Sequence, residues 1–284
     1  MVKKTVRFGE QAAVPAIGLG TWYMGEHVAQ RQQEVAALRA GIDHGLTVID
    51  TAEMYADGGA EEVVGQAIRG LRDRVVLVSK VYPWHAGKAA MHRACENSLR
   101  RLQTDYLDMY LLHWRGDIPL QETVEAMEKL VAEGKIRRWG VSNLDTEDMQ
   151  ALWRTADGEH CATNQVLYHL ASRGIEYDLL PWCQQHSLPV MAYCPLAQAG
   201  QLRRGLMRHP TLQALAGQHH ATVPQIMLAF LLARPGVIPI PRTGRAEHTL
   251  QNARAAEIRL SAEELALLDK AFAPPQRKVR LEIV

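Results

Sequence analysis

Asp50, Tyr55, Lys80 and His113 each stand at the end of a short apolar run or just beyond it. Together they offer a phenol able to release a proton, a cation able to tune it, a carboxylate and an imidazole. A set of this kind can reduce a carbonyl group. The runs that carry them are Leu46 to Asp50, Val75 to Lys80 and Tyr106 to His113. They are short, apolar and in part β-branched or aromatic, the composition of buried parallel strands. Between them Gln33 to His44, Glu61 to Arg69 and Lys88 to Gln103 place residues such as Val35, Leu38 and Ile42 on one helical face, so they read as crossover helices.

The alternation continues. Helices are expected at Thr123 to Ala132, Thr146 to Arg154, Tyr177 to Gln185 and Pro224 to Ala233, with strands at Ile136 to Ser142, Ala162 to Gln165, Pro189 to Tyr193 and Gly236 to Ile240. With Ala16 to Gly20 at the start there are eight strand candidates in 284 residues. That count and length predict an α/β fold, a (β/α)8 TIM barrel spanning 1–284 as one domain. Val6 to Val14, with Gly9 between apolar pieces, reads as an N-terminal β-hairpin closing the barrel bottom. The stretch from Pro195 to Thr222 is longer than a barrel loop needs and is expected to be a lid over a ligand.

The placement of polar residues turns the fold into a site. Asp50, Lys80, His113, Asn143, Gln165 and Tyr193 all fall at or just after the C-terminal end of an expected strand, the face where barrels of this kind hold their active sites. One polar residue at a strand end commonly does no more than begin a loop. Six in register, of cooperating chemical types, point to a site.

Composition narrows the class. A hydrophobic share of 47% beside a charged share of 22% fits a soluble globular protein, and the formal net charge of +1 offers no field for nucleic acid or an anionic membrane. No apolar stretch approaches the ~20 residues of a membrane span, so a cytoplasmic monomer without membrane partner is expected. Cys95, Cys161, Cys183 and Cys194 lack the spacing of a zinc site or disulfide framework, and no metal is expected.

Gly18-Leu-Gly-Thr-Trp22, Asp50-Thr-Ala-Glu-Met-Tyr55, Ser79-Lys80, Leu111-Leu-His113-Trp114, Trp139-Gly-Val-Ser-Asn143, Asn164-Gln165 and Tyr193-Cys-Pro-Leu196 strongly resemble the motifs of the aldo-keto reductases. The resemblance runs from about residue 6 to residue 272. Within that family Gly20 to Gly25, Asp50 to Gly59 and Val81 to Trp84 look like the bacterial methylglyoxal reductases.

The resemblance implies a role for each of the four residues. Tyr55 would be the general acid, Lys80 would lower its pKa, Asp50 would hold Lys80, and His113 would orient the carbonyl oxygen. It also implies NADP(H) extended across the barrel mouth, since no GxGxxG turn marks a Rossmann site. Gly20, Thr21, Trp22 and Asp50 would line its nicotinamide end. Ser142, Asn143 and Gln165 would bind the carboxamide and Tyr193 would stack on the ring, with Pro195 and Leu196 alongside. Arg242, Thr243, His248, Gln251 and Asn252 resemble the adenosine-phosphate segment, where lysine, serine and arginine are the commoner residues at 242, 243 and 248. Arg242 keeps the 2′-phosphate preference, whereas a mostly neutral His248 leaves room for weaker binding of NAD(H).

Trp22, Tyr23, Trp84 and Trp114, with Tyr55 and His113, would wall the substrate pocket. Small reactive aldehydes such as methylglyoxal, other 2-oxoaldehydes and aromatic aldehydes are the expected substrates. Two other readings remain at this level: a non-catalytic nucleotide-sensing barrel, and a metal-dependent barrel hydrolase using Asp50 and His113.

Overall fold

In a computed structural model, which describes residues 4–8 and 13–284, each of those eight apolar runs contributes one strand to a single parallel sheet. The strands are β3 (Leu19–Gly20), β4 (Val48–Asp50), β5 (Val76–Val81), β6 (Met109–Leu112), β7 (Trp139–Ser142), β8 (Asn164–Leu167), β9 (Val190–Tyr193) and β10 (Val237–Pro239). They pair in chain order from β3 to β10. The ends of that order meet as well: Gly18 N donates to Pro239 O at 3.0 Å, Gly20 N donates to Pro241 O at 3.1 Å, and Gly20 bridges Arg242. The sheet therefore closes into a barrel with no free edge.

Strands β1 (Thr5–Val6) and β2 (Val14–Pro15) form the expected antiparallel hairpin, with Val6 opposite Val14. The Gly9 turn lies outside the described residues. Phe8 and Val14 pack with Val48, Val78, Met109, Leu111, Met191 and Ile238, so the hairpin plugs one end of the barrel interior.

Alternation along the strands separates two cores. Val48, Val76, Val78, Met109, Leu111 and Met191 face the interior cluster, whereas Ile49, Leu77, Val81, Tyr110, Leu112, Val190 and Ala192 join the larger cluster beneath the helices. Continuing each interior row by two residues reaches Asp50 after Val48, Lys80 after Val78, His113 after Leu111 and Tyr193 after Met191. The period of two thus delivers these polar side chains to one mouth.

The outer layer contains α1 (Arg31–Asp43), α2 (Gly59–Ile68), α3 (Lys88–Leu102), α4 (Leu120–Ala132), α5 (Thr146–Trp153), α6 (Leu179–Gln185), α7 (Gln201–Met207), α8 (Pro210–Gln218), α9 (Val223–Leu232), α10 (Ala246–Arg254) and α11 (Ala262–Ala271). The helix boundaries expected from apolar periodicity fall within a few residues of these. The segment 195–222 is the departure, because it holds two helices, α7 and α8. Pro210 sits in the first turn of α8, where its missing N–H costs nothing, and Leu212, Leu215 and Ala216 are buried. Among the described residues, no helix is long and apolar enough to cross a membrane.

Candidate active site

Lys80 is fully buried, and its Nζ meets three acceptors: Asp50 Oδ2 at 2.8 Å, Thr51 O at 2.9 Å and Tyr55 Oη at 3.0 Å. An ammonium has three hydrogens, and each has a partner here. Because Lys80 donates to the Tyr55 oxygen, the phenolic hydrogen must point elsewhere. Tyr55 and Asp50 line a cavity of about 330 Å³ together with His113, Trp22, Tyr23, Asn143, Gln165 and Tyr193. The ring of Tyr55 stands 5.8 Å from that of His113 in an edge arrangement.

The backbone explains how Tyr55 reaches Lys80. Ala56, Asp57 and Gly58 follow it with φ of 51°, 49° and 88°, a left-handed run that reverses the chain into α2. Non-glycine residues adopt this conformation at a cost of about 1–3 kcal/mol each, which surrounding structure has to offset.

Burial drives the Tyr55 phenol well above the usual tyrosine range, and the negative charge of Asp50 adds to the shift. The net direction is opposite to the expected lowering, because burial outweighs the hydrogen bond that Lys80 donates to the phenol oxygen. The phenol is therefore fully protonated at neutral pH, and Lys80 supports the oxygen by donating a hydrogen bond to it. Burial also raises the Asp50 carboxyl and lowers the Lys80 ammonium, and their mutual attraction opposes both shifts. Gln165 Nε2 donates to the other Asp50 oxygen at 2.7 Å, so the carboxylate is held at both oxygens. His113 is pushed down to about 2, first by burial and then by Lys80, so its ring is neutral. Its buried Nδ1 has no hydrogen-bond partner, which favours the single ring proton on Nε2.

The residues expected at the nicotinamide form a connected chain. Ser142 Oγ donates to Gln165 O at 2.8 Å, Asn143 Nδ2 donates to His113 O at 3.1 Å, and Tyr193 Oη donates to Asn143 Oδ1 at 2.8 Å. Thr21 Oγ1 donates to Asp50 O at 2.9 Å. Gly20, Pro195 and Leu196 line the same cavity.

A second cleft of about 460 Å³ is lined by Arg242, Thr243, His248, Gln251 and Asn252. The two cavities share Leu196, Arg203 and Arg242, forming one trough from Tyr55 to a basic end. Arg203 on α7 and Arg245 before α10 also line the basic end, and neither was singled out from sequence. Arg245 lies three residues from Arg242, a usable signal. Arg203 gives none, because only the fold carries α7 to the trough. Arg203, Arg242 and Arg245 make one end of the trough cationic, suited to phosphate groups. Buried Glu34 there is engaged by Gly25 N at 3.0 Å, with Arg242 3.7 Å away.

The expected aromatic wall is only partly assembled around the cavity. Trp22 and Tyr23 line it, and Trp114 lies against His113 at 4.9 Å, whereas Trp84 stacks on Tyr82 at 4.3 Å and is 59% exposed. Cys194, Met54 and Val284 line the cavity as well. Val284 follows a segment tied down by Lys278, which binds Asp145 and Asp178, and by Glu282, which accepts from Ser172. Among the described residues no three His, Cys, Asp or Glu side chains gather as a metal ligand set.

The model of the aldo/keto reductase family matches residues 16–273. The chain belongs to that family. This aldo/keto reductase is 60% identical to methylglyoxal reductase YeaE of Escherichia coli K12, with all of both chains covered. It is 32% identical to a glyoxal reductase of Bacillus subtilis over 94% of this chain and 92% of the relative. Among solved structures, an aldo/keto reductase of Klebsiella pneumoniae in complex with NADP and acetate shares 84% identity, covers 100% of both chains and superimposes with a TM-score of 0.97. In this oxidoreductase the interior rows of the barrel end in Asp50, Lys80, His113 and Tyr193.

Proposed function

We propose that this aldo/keto reductase reduces small aldehydes to alcohols with NADPH, and that methylglyoxal and other 2-oxoaldehydes are its preferred class. The observation that carries the reading is the buried Tyr55 oxygen receiving an N–H from Lys80, an arrangement useful to a phenol that must become phenolate. The trough fits NADP(H): Ser142, Asn143, Gln165 and Tyr193 would hold the nicotinamide, and Arg242 with Thr243, His248, Arg203 and Arg245 would hold the phosphates. Bound there, NADPH supplies the hydride.

The protein's own groups do the rest. Neutral His113 donates one N–H to the carbonyl oxygen and orients it toward Tyr55. As negative charge develops on that oxygen, Tyr55 gives it a proton. Lys80 stabilises the resulting phenolate through the 3.0 Å contact, and Asp50 keeps the ammonium charged and in place. Solvent then restores the phenol.

The relatives named for methylglyoxal and glyoxal reduction support the substrate class. So does a cavity whose size order suits a compact carbonyl compound beside a nicotinamide. A cytoplasmic monomer that needs no partner completes the reading. Purified protein should oxidise NADPH with methylglyoxal and with small aromatic aldehydes. Tyr55→Phe should bind NADPH as the parent does and lose about 10²- to 10⁴-fold in kcat, the range for a lost acid. A panel of such aldehydes left untouched, or a Tyr55→Phe variant of parental rate, overturns the reading.

A further inference from the structure

Glu61, the third residue of α2, is fully buried outside the tetrad. A buried carboxylate is costly unless its oxygens are occupied and its charge is met. Both conditions hold: Ser79 Oγ donates to Oε1 at 2.6 Å, and Arg101 Nε donates to Oε2 at 2.6 Å. Ser79 immediately precedes Lys80 on β5, and alternation turns its side chain outward to α2 while Lys80 faces inward. Arg101, on α3, lies directly beneath the left-handed run after Tyr55. A Cβ added to Gly58 would meet Arg101 Cδ and Nε at 2.4 Å. The two bonds to Glu61 thus fasten the strand carrying Lys80 to the turn carrying Tyr55.

We propose that Glu61 is a positioning residue for the Tyr55–Lys80 pair, its carboxylate tying Ser79 to Arg101 so that the phenol and the ammonium stay within hydrogen-bond reach. The inference rests on the reductase reading of that pair. It has an electrostatic side too. The groups facing Lys80 are Asp50 on β4, Tyr55 on the following turn, His113 at the end of β6 and Glu61 on α2; burial lowers the ammonium, and Asp50 and Glu61 both counter that. Glu61 is paired with Arg101 on α3, and its charge is felt by Lys80 across β5, by Cys95 on α3 and by Tyr110 on β6; the thiol and the phenol are both raised by burial. The Glu61 carboxylate is therefore met by one cation in contact, Arg101, and by the charge of Lys80 acting across β5.

Glu61→Gln keeps the shape and removes the charge. Its kcat should fall about tenfold while KM and the NADPH dissociation constant stay within about threefold, the pattern of a lost transition-state interaction. The basic limb of the kcat–pH profile should move lower, reflecting a less favoured Lys80 ammonium. A merely structural role would lower the melting temperature and leave that limb in place. Should Glu61→Gln fail to fold, Ser79→Ala and Arg101→Lys carry the test, since each removes one tie and leaves the carboxylate. Both should lose several-fold in kcat at unchanged KM. A folded Glu61→Gln of parental kcat and pH profile, or parental kcat in both replacement variants, overturns the proposal. Active parent protein is the control: its inactivity toward aldehydes would sink the reductase reading instead.

Discussion

At the scale of the residue, this site is a problem in burying charge. Lys80 and Asp50 are almost wholly removed from water, and neither would remain charged there without the other. Thr51 O, Tyr55 and Gln165 take up the remaining hydrogen-bonding capacity, so the pair is fixed in direction as well as charge. Removing one partner leaves the other buried and unmatched. Lys80→Met should therefore lose about 3–5 kcal/mol of stability in urea unfolding, and the Lys80→Met, Asp50→Asn double variant should lose clearly less than the sum of the singles. Strict additivity would show that the two are not energetically joined. Tyr55 is a different case: its phenol is kept protonated by burial while its oxygen accepts a hydrogen bond from Lys80.

At the scale of the element, close approaches between backbones decide where the site residues stand. The barrel seam is one. A Cβ on Gly20 would lie 2.6 Å from Ile240 O, so strand β3 can meet the chain just after β10 only because residue 20 lacks a side chain. Gly20→Ala should cost about 1–3 kcal/mol through strain at the seam, whereas Gly205→Ala, within α7 and with nothing within 4 Å of the added atom, should be neutral or stabilising by up to about 1 kcal/mol. Thermal unfolding of the two variants checks this, and equal effects would contradict it. The segment 195–222 belongs to this scale as well. Its helix α7 brings Arg203 to the junction of the two cavities, so the segment expected to cover a ligand lines the trough.

At the scale of the whole molecule, burial couples stability to pH. His113 is held down to about 2 and His169 to about 4, both chiefly by burial, with Lys80 adding to the shift of His113 and Glu282 opposing that of His169. Their unfolded values lie near 6.5, so below about pH 6.5 the unfolded chain takes up protons that the folded one refuses. Stability contributed by the neutral rings is present in full above that pH and is lost as the pH falls, through about 4 for His169 and further for His113. The melting temperature should decline from pH 7 to pH 4, and His169→Gln should flatten part of that decline. A parental curve flat over this window would remove the argument.

Strand and helix periodicity made the barrel legible in the sequence, because an interior row of period two and an apolar helical stripe are both local patterns. The same patterns placed Asp50, Lys80, His113 and Tyr193 at strand ends, and the motifs around them resembled one family. Other features depend on chain segments meeting across long separations. Neither Arg203 nor Glu61 belongs to a recognisable catalytic motif: α7 places the first beside Arg242, and packing of α2 on α3 places the second between Ser79 and Arg101. Trp84 stacks on Tyr82 at 4.3 Å and meets Trp114 at 5.7 Å, and Trp114 in turn lies against His113. The chain's local chemistry determined which fold forms and which groups can react. Tertiary structure alone decided their protonation and partners, because burial and neighbouring charge act through space.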